Sequence, residues 1–224
     1  MLSAYKQILR QSLKDRKGAA SCAVNGLLPL VVLGVSVYIL AAIQLAPDYY
    51  PERHFNEERG LITALSAIFL AMASSLAGAS FLLGFRKSRG LGLFWGLAAV
   101  SFFFLALDEL LGFHEKLGDM MKNAIGSPLI FRNWNDVVII IYGVAAVFIL
   151  LYFLPAMIRL PAFFKMMVLA FGFFVIHTLI DSTQVRTMYS IVFEESAKLF
   201  SSAFFAMAML YGLLAVVEEK GGRP

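Results

Sequence analysis

The chain has 224 residues, of which 60% are hydrophobic and 15% charged, with a mean hydropathy of +0.77 and a formal net charge of +4. A soluble domain of this size leaves roughly a quarter to a third of its surface in water and cannot hide so much apolar surface, so the composition indicates a membrane protein and not a soluble, disordered or nucleic-acid-binding one. The single cysteine, Cys22, excludes an internal disulfide and a cysteine-rich zinc motif.

The first 20 residues precede every apolar run and predict an amphipathic helix on the cytoplasmic membrane surface. Apolar residues recur there at helical spacing, while five Lys and Arg residues occupy the remaining faces. A solvated basic tail is the alternative. The N-terminus is expected to remain uncleaved, because no Ala-x-Ala-type site directly follows the first apolar run.

Six apolar runs are long enough to cross a membrane as helices, which requires roughly 20 residues each. They predict an all-α integral membrane bundle, with residues 1–224 forming a single transmembrane domain. The predicted spans are 26–46, 61–85, 91–113, 137–157, 163–181 and 193–217.

The charges beside these spans predict which way the chain crosses the membrane. One face carries 12 of the 19 Lys and Arg residues and 3 of the 15 acids, and the opposite face carries the rest. Because basic residues accumulate on the cytoplasmic side, we expect both termini in the cytoplasm of a bacterium, in its inner membrane. The acidic face is then expected to look outward.

Ionisable residues within a span cost roughly 2.5 to 3.5 kcal/mol on insertion scales, so they mark candidate functional positions. Span three carries Asp108 and Glu109 near its end, followed by His114 and Glu115. On a continuous helix, Asp108, Glu115 and Asp119 share one stripe. We expect either Asp108 with Glu115, or Glu109 with His114 after a distortion at Gly112, to face the bundle interior.

Further polar residues lie at the same face because consecutive spans alternate in direction. His177 and Asp181 end span five on one helix side, and Glu194 and Glu195 open span six. Span four is preceded by Asn135 and Asp136, and the loop of residues 48–59, with His54, is a candidate lid. The polar clusters are therefore expected to converge on the outward face.

Histidine and carboxylate side chains on neighbouring helices are typical of bundle metal sites for zinc or iron. The predicted ligands are His114, His177, Asp108, Asp181 and Glu195, and the predicted catalytic acids or bases are Glu109 and Glu115. At the lipid boundary the expected function is a metal-dependent hydrolase or oxidase acting on a membrane lipid or another lipid-phase substrate.

A metal-free explanation of the same residues stays open. Arg132, Arg186 or Lys198 could neutralise the carboxylates and form a network for structure, proton transfer or cation passage. Glu194 is also explained as a helix-start residue paired with Lys198, and Asp136 as a helix cap. The chain is then a non-catalytic membrane subunit or a proton or cation pathway. A homo-oligomer or a larger membrane complex is a separate possibility.

The Asp-Glu-x4-His-Glu pattern of Asp108, Glu109, His114 and Glu115, with Glu194-Glu195 opening the last span, resembles a group of uncharacterised bacterial polytopic membrane proteins. The resemblance covers spans three to six and implies a fold. More distantly, the chain is similar to the alkaline ceramidase and progestin-receptor superfamily of transmembrane hydrolases. That superfamily has seven spans and a histidine pair in the last one, whereas this chain has no histidine after His177.

Overall fold

The computed structural model describes residues 19–45, 60–84, 89–128, 131, 133–182 and 187–221. Within these residues the regular secondary structure is entirely α-helical, which confirms the predicted all-α bundle. The helices are α1 (Ala19–Leu45), α2 (Leu61–Gly84), α3 (Arg89–Leu111), α4 (Phe113–Ile125), α5 (Trp134–Met157), α6 (Pro161–Asp181) and α7 (Met188–Gly221).

Six of these helices are long and apolar enough to cross a membrane, as the sequence predicts. The chain is thus a multi-pass membrane protein. The predicted ends agree with the observed ones within a few residues, with three exceptions. Helix α1 begins at Ala19, before its predicted start at residue 26. Helix α7 begins at Met188, before its predicted start at residue 193, and α4 lies where the sequence predicts only a connection.

Helix α4 exists because the chain turns sharply at Gly112. Its φ of 58° and ψ of 44° are left-handed, a conformation that glycine adopts without the steric cost of a Cβ. The backbone N–H of Gly112 donates to the Asp108 carbonyl at 2.8 Å and closes α3. The single stripe predicted for Asp108, Glu115 and Asp119 is therefore wrong, since Glu115 and Asp119 belong to a second helix.

The last helix lies at the centre of the bundle. Of its most apolar stretch 56% is buried, against 11% for α5 and 17% for α1. Helices α2 and α6 flank α7, and α3 packs on α2. The buried face of α7 carries small residues such as Ala203 and Ala208, which let these neighbours approach closely.

The two ends of the bundle differ in packing. At the end where α3 and α6 begin, aromatic rings fill the core, with Trp95 edge-on to Phe94 and Phe163 at centroid distances of 5.0 and 5.2 Å. Gly212 of α7 lies against Trp95, and a Cβ at that position would overlap the indole ring. The other end, where α3 and α6 finish and α2, α5 and α7 start, holds the candidate site.

Several predicted features lie outside the described residues. These are residues 1–18 of the predicted amphipathic segment 1–20, the lid of residues 48–59 with His54, and the basic residues Arg132 and Arg186.

Candidate functional site

A polar cavity of about 340 Å³ opens at this second end of the bundle. We call it the polar cavity. Helices α2 to α7 and the residues preceding α5 contribute to its wall. The lining residues are Thr63, Ser66, Leu70, Leu105, Asp108, Glu109, Gly112, His114, Glu115, Asn133, Asn135, Asp136, Ile139, Phe174, His177, Asp181, Glu194, Glu195, Lys198, Ser201, Ser202 and Phe205.

All seven residues that the sequence singles out for metal binding or catalysis line this one cavity. Asp108 and Glu109 reach it from α3, and His114 and Glu115 reach it from α4. His177 and Asp181 of α6 also line this cavity, as does Glu195 of α7. The alternative pairs proposed for the bundle interior, Asp108 with Glu115 and Glu109 with His114, therefore both face it.

Asp108 and His114 form the most sharply defined pair in the cavity. One carboxylate oxygen of Asp108 accepts the backbone N–H of His114 at 2.8 Å, and the other lies 2.9 Å from His114 Nδ1. The turn at Gly112 folds α4 back so that both contacts form. The carboxylate fixes the orientation of the imidazole and leaves Nε2 for another partner.

The pKa of His114 reflects this environment. Burial lowers the pKa, but the hydrogen bond and charge of Asp108, with the charges of Glu115 and Glu109, more than offset that effect. The resulting pKa lies above the ordinary 6.5. The cavity therefore favours the protonated imidazolium more than water does.

Lys198 holds two carboxylates from different helices. Its Nζ lies 3.0 Å from Glu109 Oε1 of α3 and 2.7 Å from Glu195 Oε2, three residues earlier on α7. Lys198 lies nearly three turns inside α7, and its side chain is 19% exposed. A charge at this depth requires such partners, because one left unpaired would cost several kcal/mol.

Lys198 is the basic partner of Glu109. The sequence alone left three basic residues as candidates for that role. Glu194 does not open α7, because the helix begins nearly two turns earlier. Its interpretation as a first-turn residue is therefore wrong. By contrast, Asp136 is confirmed as part of a helix cap, since its side chain accepts the backbone N–H of Asn133 at 3.2 Å in a capping box.

His177 lines the cavity and has one buried ring nitrogen. Its Nδ1 is shielded from solvent and has no hydrogen-bond partner among the described residues, while the ring lies within hydrogen-bonding range of the Glu194 backbone. A buried acceptor without a partner is costly, so this nitrogen is a candidate contact for a ligand.

The serine hydroxyls in the cavity wall hold helices together. Ser66 of α2 and Ser202 of α7 share a hydrogen bond of 2.8 Å, and Ser201 donates to the Ala170 carbonyl of α6 at 2.9 Å. These contacts make the serines structural side chains at the cavity wall. Neither contact involves a histidine, so they do not form a nucleophile–base pair.

The metal site predicted from the residue types is not assembled as three ligands. The residues that the structure describes contain no group of three His, Cys, Asp or Glu side chains placed to hold a metal ion. Asp108 directs both of its oxygens to His114, and Glu195 pairs with Lys198. A zinc or iron site therefore stays a prediction that would require these side chains to move.

The cavity carries far more acidic than basic groups. Seven carboxylates line it, against Lys198 and two histidines among the described residues. Even with all three bases charged, the formal charge of these groups is negative. Such a cavity in a low-dielectric surrounding attracts cations.

The cavity ends inside the bundle against three apolar side chains, Leu105, Phe174 and Phe205. At 1.5 Å per residue, Leu105 and Phe174 lie about 10 Å from the ends of α3 and α6. Between these side chains and the aromatic end of the bundle, the space is lined almost entirely by apolar side chains. In the described part of the chain, the lining thus changes from polar to apolar toward the aromatic end of the bundle.

Sequence reasoning missed the hydroxyl residues of the wall and the central place of Lys198. On α7, Glu195, Lys198, Ser202 and Phe205 are spaced by three or four residues and share one face. Thr63 and Ser66 do the same on α2. These polar stripes within apolar runs are the signal that would have identified them.

No curated protein and no solved structure matches this chain. A family match extends over residues 27–212, which include every residue that lines the cavity. The chain belongs to the family described as "Domain of unknown function (DUF8692)".

Proposed function

We propose that this protein binds a cation in the polar cavity, at the outward face of a bacterial inner membrane. The observation that carries the proposal is the gathering of seven carboxylates around one cavity with three bases. The positive charge can belong to a divalent metal ion or to an ammonium group. The excess of basic residues at the opposite face supports the outward orientation.

His177 supports ligand binding independently of the net charge. Its buried Nδ1 lacks a hydrogen-bond partner among the described residues, and its ring lines the cavity. An ammonium N–H or a metal ion that approaches this nitrogen would supply the missing partner.

The apolar end of the cavity favours binding over passage. An ion leaving the polar cavity toward the aromatic end would meet Leu105, Phe174 and Phe205, and would lose the oxygen ligands that replace its hydration shell. We therefore regard the site as a terminus for the cation and not as part of a channel.

A binding measurement on the purified protein in neutral detergent tests the proposal. Thermal unfolding and calorimetry would be followed during titration with zinc chloride and, separately, with butylammonium chloride. Glu115→Gln removes one charge from the cavity, and Glu218→Gln makes the same change on an exposed residue near the end of α7. We expect saturable binding of at least one cation, weakened about tenfold by Glu115→Gln and unchanged by Glu218→Gln.

Two results would overturn the cation site. One is the absence of saturable binding of either cation, and the other is an equal effect of the two glutamine variants. Binding of zinc alone would assign the charge to a metal ion, whereas binding of butylammonium would assign it to an organic cation.

A second candidate function, a metal-dependent enzyme acting on a lipid-phase substrate, is favoured by the Asp108–His114 contact. A carboxylate that orients an imidazole through Nδ1 is the usual outer partner of a metal-bound histidine, and it also serves acid–base catalysis. Elemental analysis of protein purified without added metal tests this candidate. The candidate would be supported if the wild-type protein contained stoichiometric zinc or iron and the His177→Ala variant did not. It would be refuted if the wild-type protein could not be loaded with either metal.

A further inference from the structure

A second cavity lies directly below the polar one. It has a volume of about 110 Å³ and is bounded by α3, α5, α6 and α7. We call it the apolar pocket. Its lining is Phe94, Leu97, Ala98, Ser101, Phe102, Leu105, Tyr142, Gly143, Ala146, Ile149, Leu150, Met167, Phe171, Phe174, Phe205 and Met209.

The two cavities share a wall. Leu105, Phe174 and Phe205 line both of them, so these three side chains form the partition between polar and apolar space. All three are only partly buried, although they point between helices of the bundle. Rotation of such side chains opens and closes gaps of this size without movement of the backbone.

The apolar pocket also reaches the surface of the bundle. Leu97 lines it and is 38% exposed, on a helix face that meets lipid in a membrane. The pocket contains two polar side chains, Ser101 and Tyr142, and no charged one. A hydrocarbon chain is the chemical group that matches such a lining.

From this juxtaposition we infer that the ligand of the polar cavity is a cationic amphiphile, whose ammonium head lies among the carboxylates and whose hydrocarbon chain enters the apolar pocket. The inference rests on the proposed cation site and specifies its ligand class. Leu105 and Phe174 of the partition lie about 10 Å inside the ends of α3 and α6, a depth at which a bilayer with a hydrocarbon core roughly 30 Å thick presents acyl chains. The ligand is thus drawn from the lipid phase.

The apolar pocket can be filled without touching the polar cavity. Ala146 of α5 lines the apolar pocket, whereas its neighbour Ala145 is exposed on the outer surface of the same helix. Ala146→Phe places a ring in the space assigned to the chain. Ala145→Phe adds the same ring to the lipid-facing surface and serves as the matched control.

The experiment compares dodecylammonium with butylammonium in the wild-type protein and both variants, in the same neutral detergent. Partition of the long chain into micelles changes its apparent affinity by the same factor for every variant, so the comparison is made between variants. The quantity compared is the affinity for dodecylammonium divided by the affinity for butylammonium. We expect this ratio to be at least tenfold lower in Ala146→Phe than in Ala145→Phe or the wild type. Butylammonium binding should stay within about twofold in all three proteins.

The amphiphile inference fails if Ala146→Phe and Ala145→Phe show the same chain-length ratio while butylammonium still binds. That result would leave the cation site intact. If neither ligand responds to Glu115→Gln, the cation site itself fails. Should Ala146→Phe not fold, Ala146→Leu fills part of the same space, and an unchanged ratio in that variant overturns the inference equally.

Discussion

The two ends of the bundle use the same helices for opposite purposes. At the aromatic end, α3 and α7 meet through Trp95 and Gly212 with no space for a methyl group. At the cavity end, the same helices present Glu109 and Lys198 and leave a cavity of about 340 Å³. Close packing gives stability, and the open space lined by costly charges is the region in which we propose that a ligand binds.

The first prediction concerns the aromatic end. Trp95→Ala removes a fully buried indole, and we expect the free energy of unfolding to fall by about 3 to 5 kcal/mol. Cation affinity of the folded fraction should stay within about twofold of the wild type. Thermal unfolding and calorimetry in detergent measure the two quantities. A loss of affinity larger than tenfold would show that the two ends are not separable.

The second prediction concerns Lys198, for which we expect a similar loss in the free energy of unfolding. Lys198→Met leaves Glu109 and Glu195 without their ammonium partner, so we expect a loss of about 3 to 5 kcal/mol. Because an added cation can replace the ammonium, the stabilisation by butylammonium or zinc should be larger in this variant than in the wild type.

Neutralising the two partners provides the control for that prediction. Lys198→Met combined with Glu109→Gln and Glu195→Gln removes the unpaired charges and should recover most of the lost stability. A single Lys198→Met variant as stable as the wild type would contradict the assigned ion pairs.

A substitution in the turn between α3 and α4 is expected to lower the stability by a smaller amount. Gly112→Ala places a Cβ in the left-handed region, which costs about 1 to 2 kcal/mol and strains the contact between Asp108 and His114. Gly26→Ala is a matched control, because a Cβ there meets no atom within 4 Å. Equal thermal stability of the two variants would exclude strain at this turn as a constraint on the site.

The smallest predicted effect is the pH dependence that His114 contributes. Its pKa is raised in the folded protein, so its stabilisation is complete below the unfolded value near 6.5 and is lost as the pH rises through the folded value. We expect His114→Gln to remove this part of the stability loss above pH 6.5. A wild-type profile identical to that of the variant across this range would contradict the pairing with Asp108.

The helices were predictable because each needs only a long apolar run, and such runs are evident without tertiary information. Helix α4 was not, since its exposed charged residues resemble a connection and its start depends on the conformation of Gly112. The convergence of the cavity residues followed from the alternation of spans. The basic residue that pairs with Glu109 could not be predicted, because that contact depends on how α3 and α7 are arranged in the bundle. No local sequence pattern encodes this arrangement.

The most direct test of the central claim locates the bound cation. Carbodiimide labelling followed by mass spectrometry measures the reactivity of individual carboxylates, here Glu115 in the polar cavity and the exposed Glu218 near the end of α7. With saturating cation we predict that Glu115 is protected at least several-fold while Glu218 reacts as before. Saturable binding with unchanged reactivity of Glu115 and the other cavity carboxylates would contradict the account.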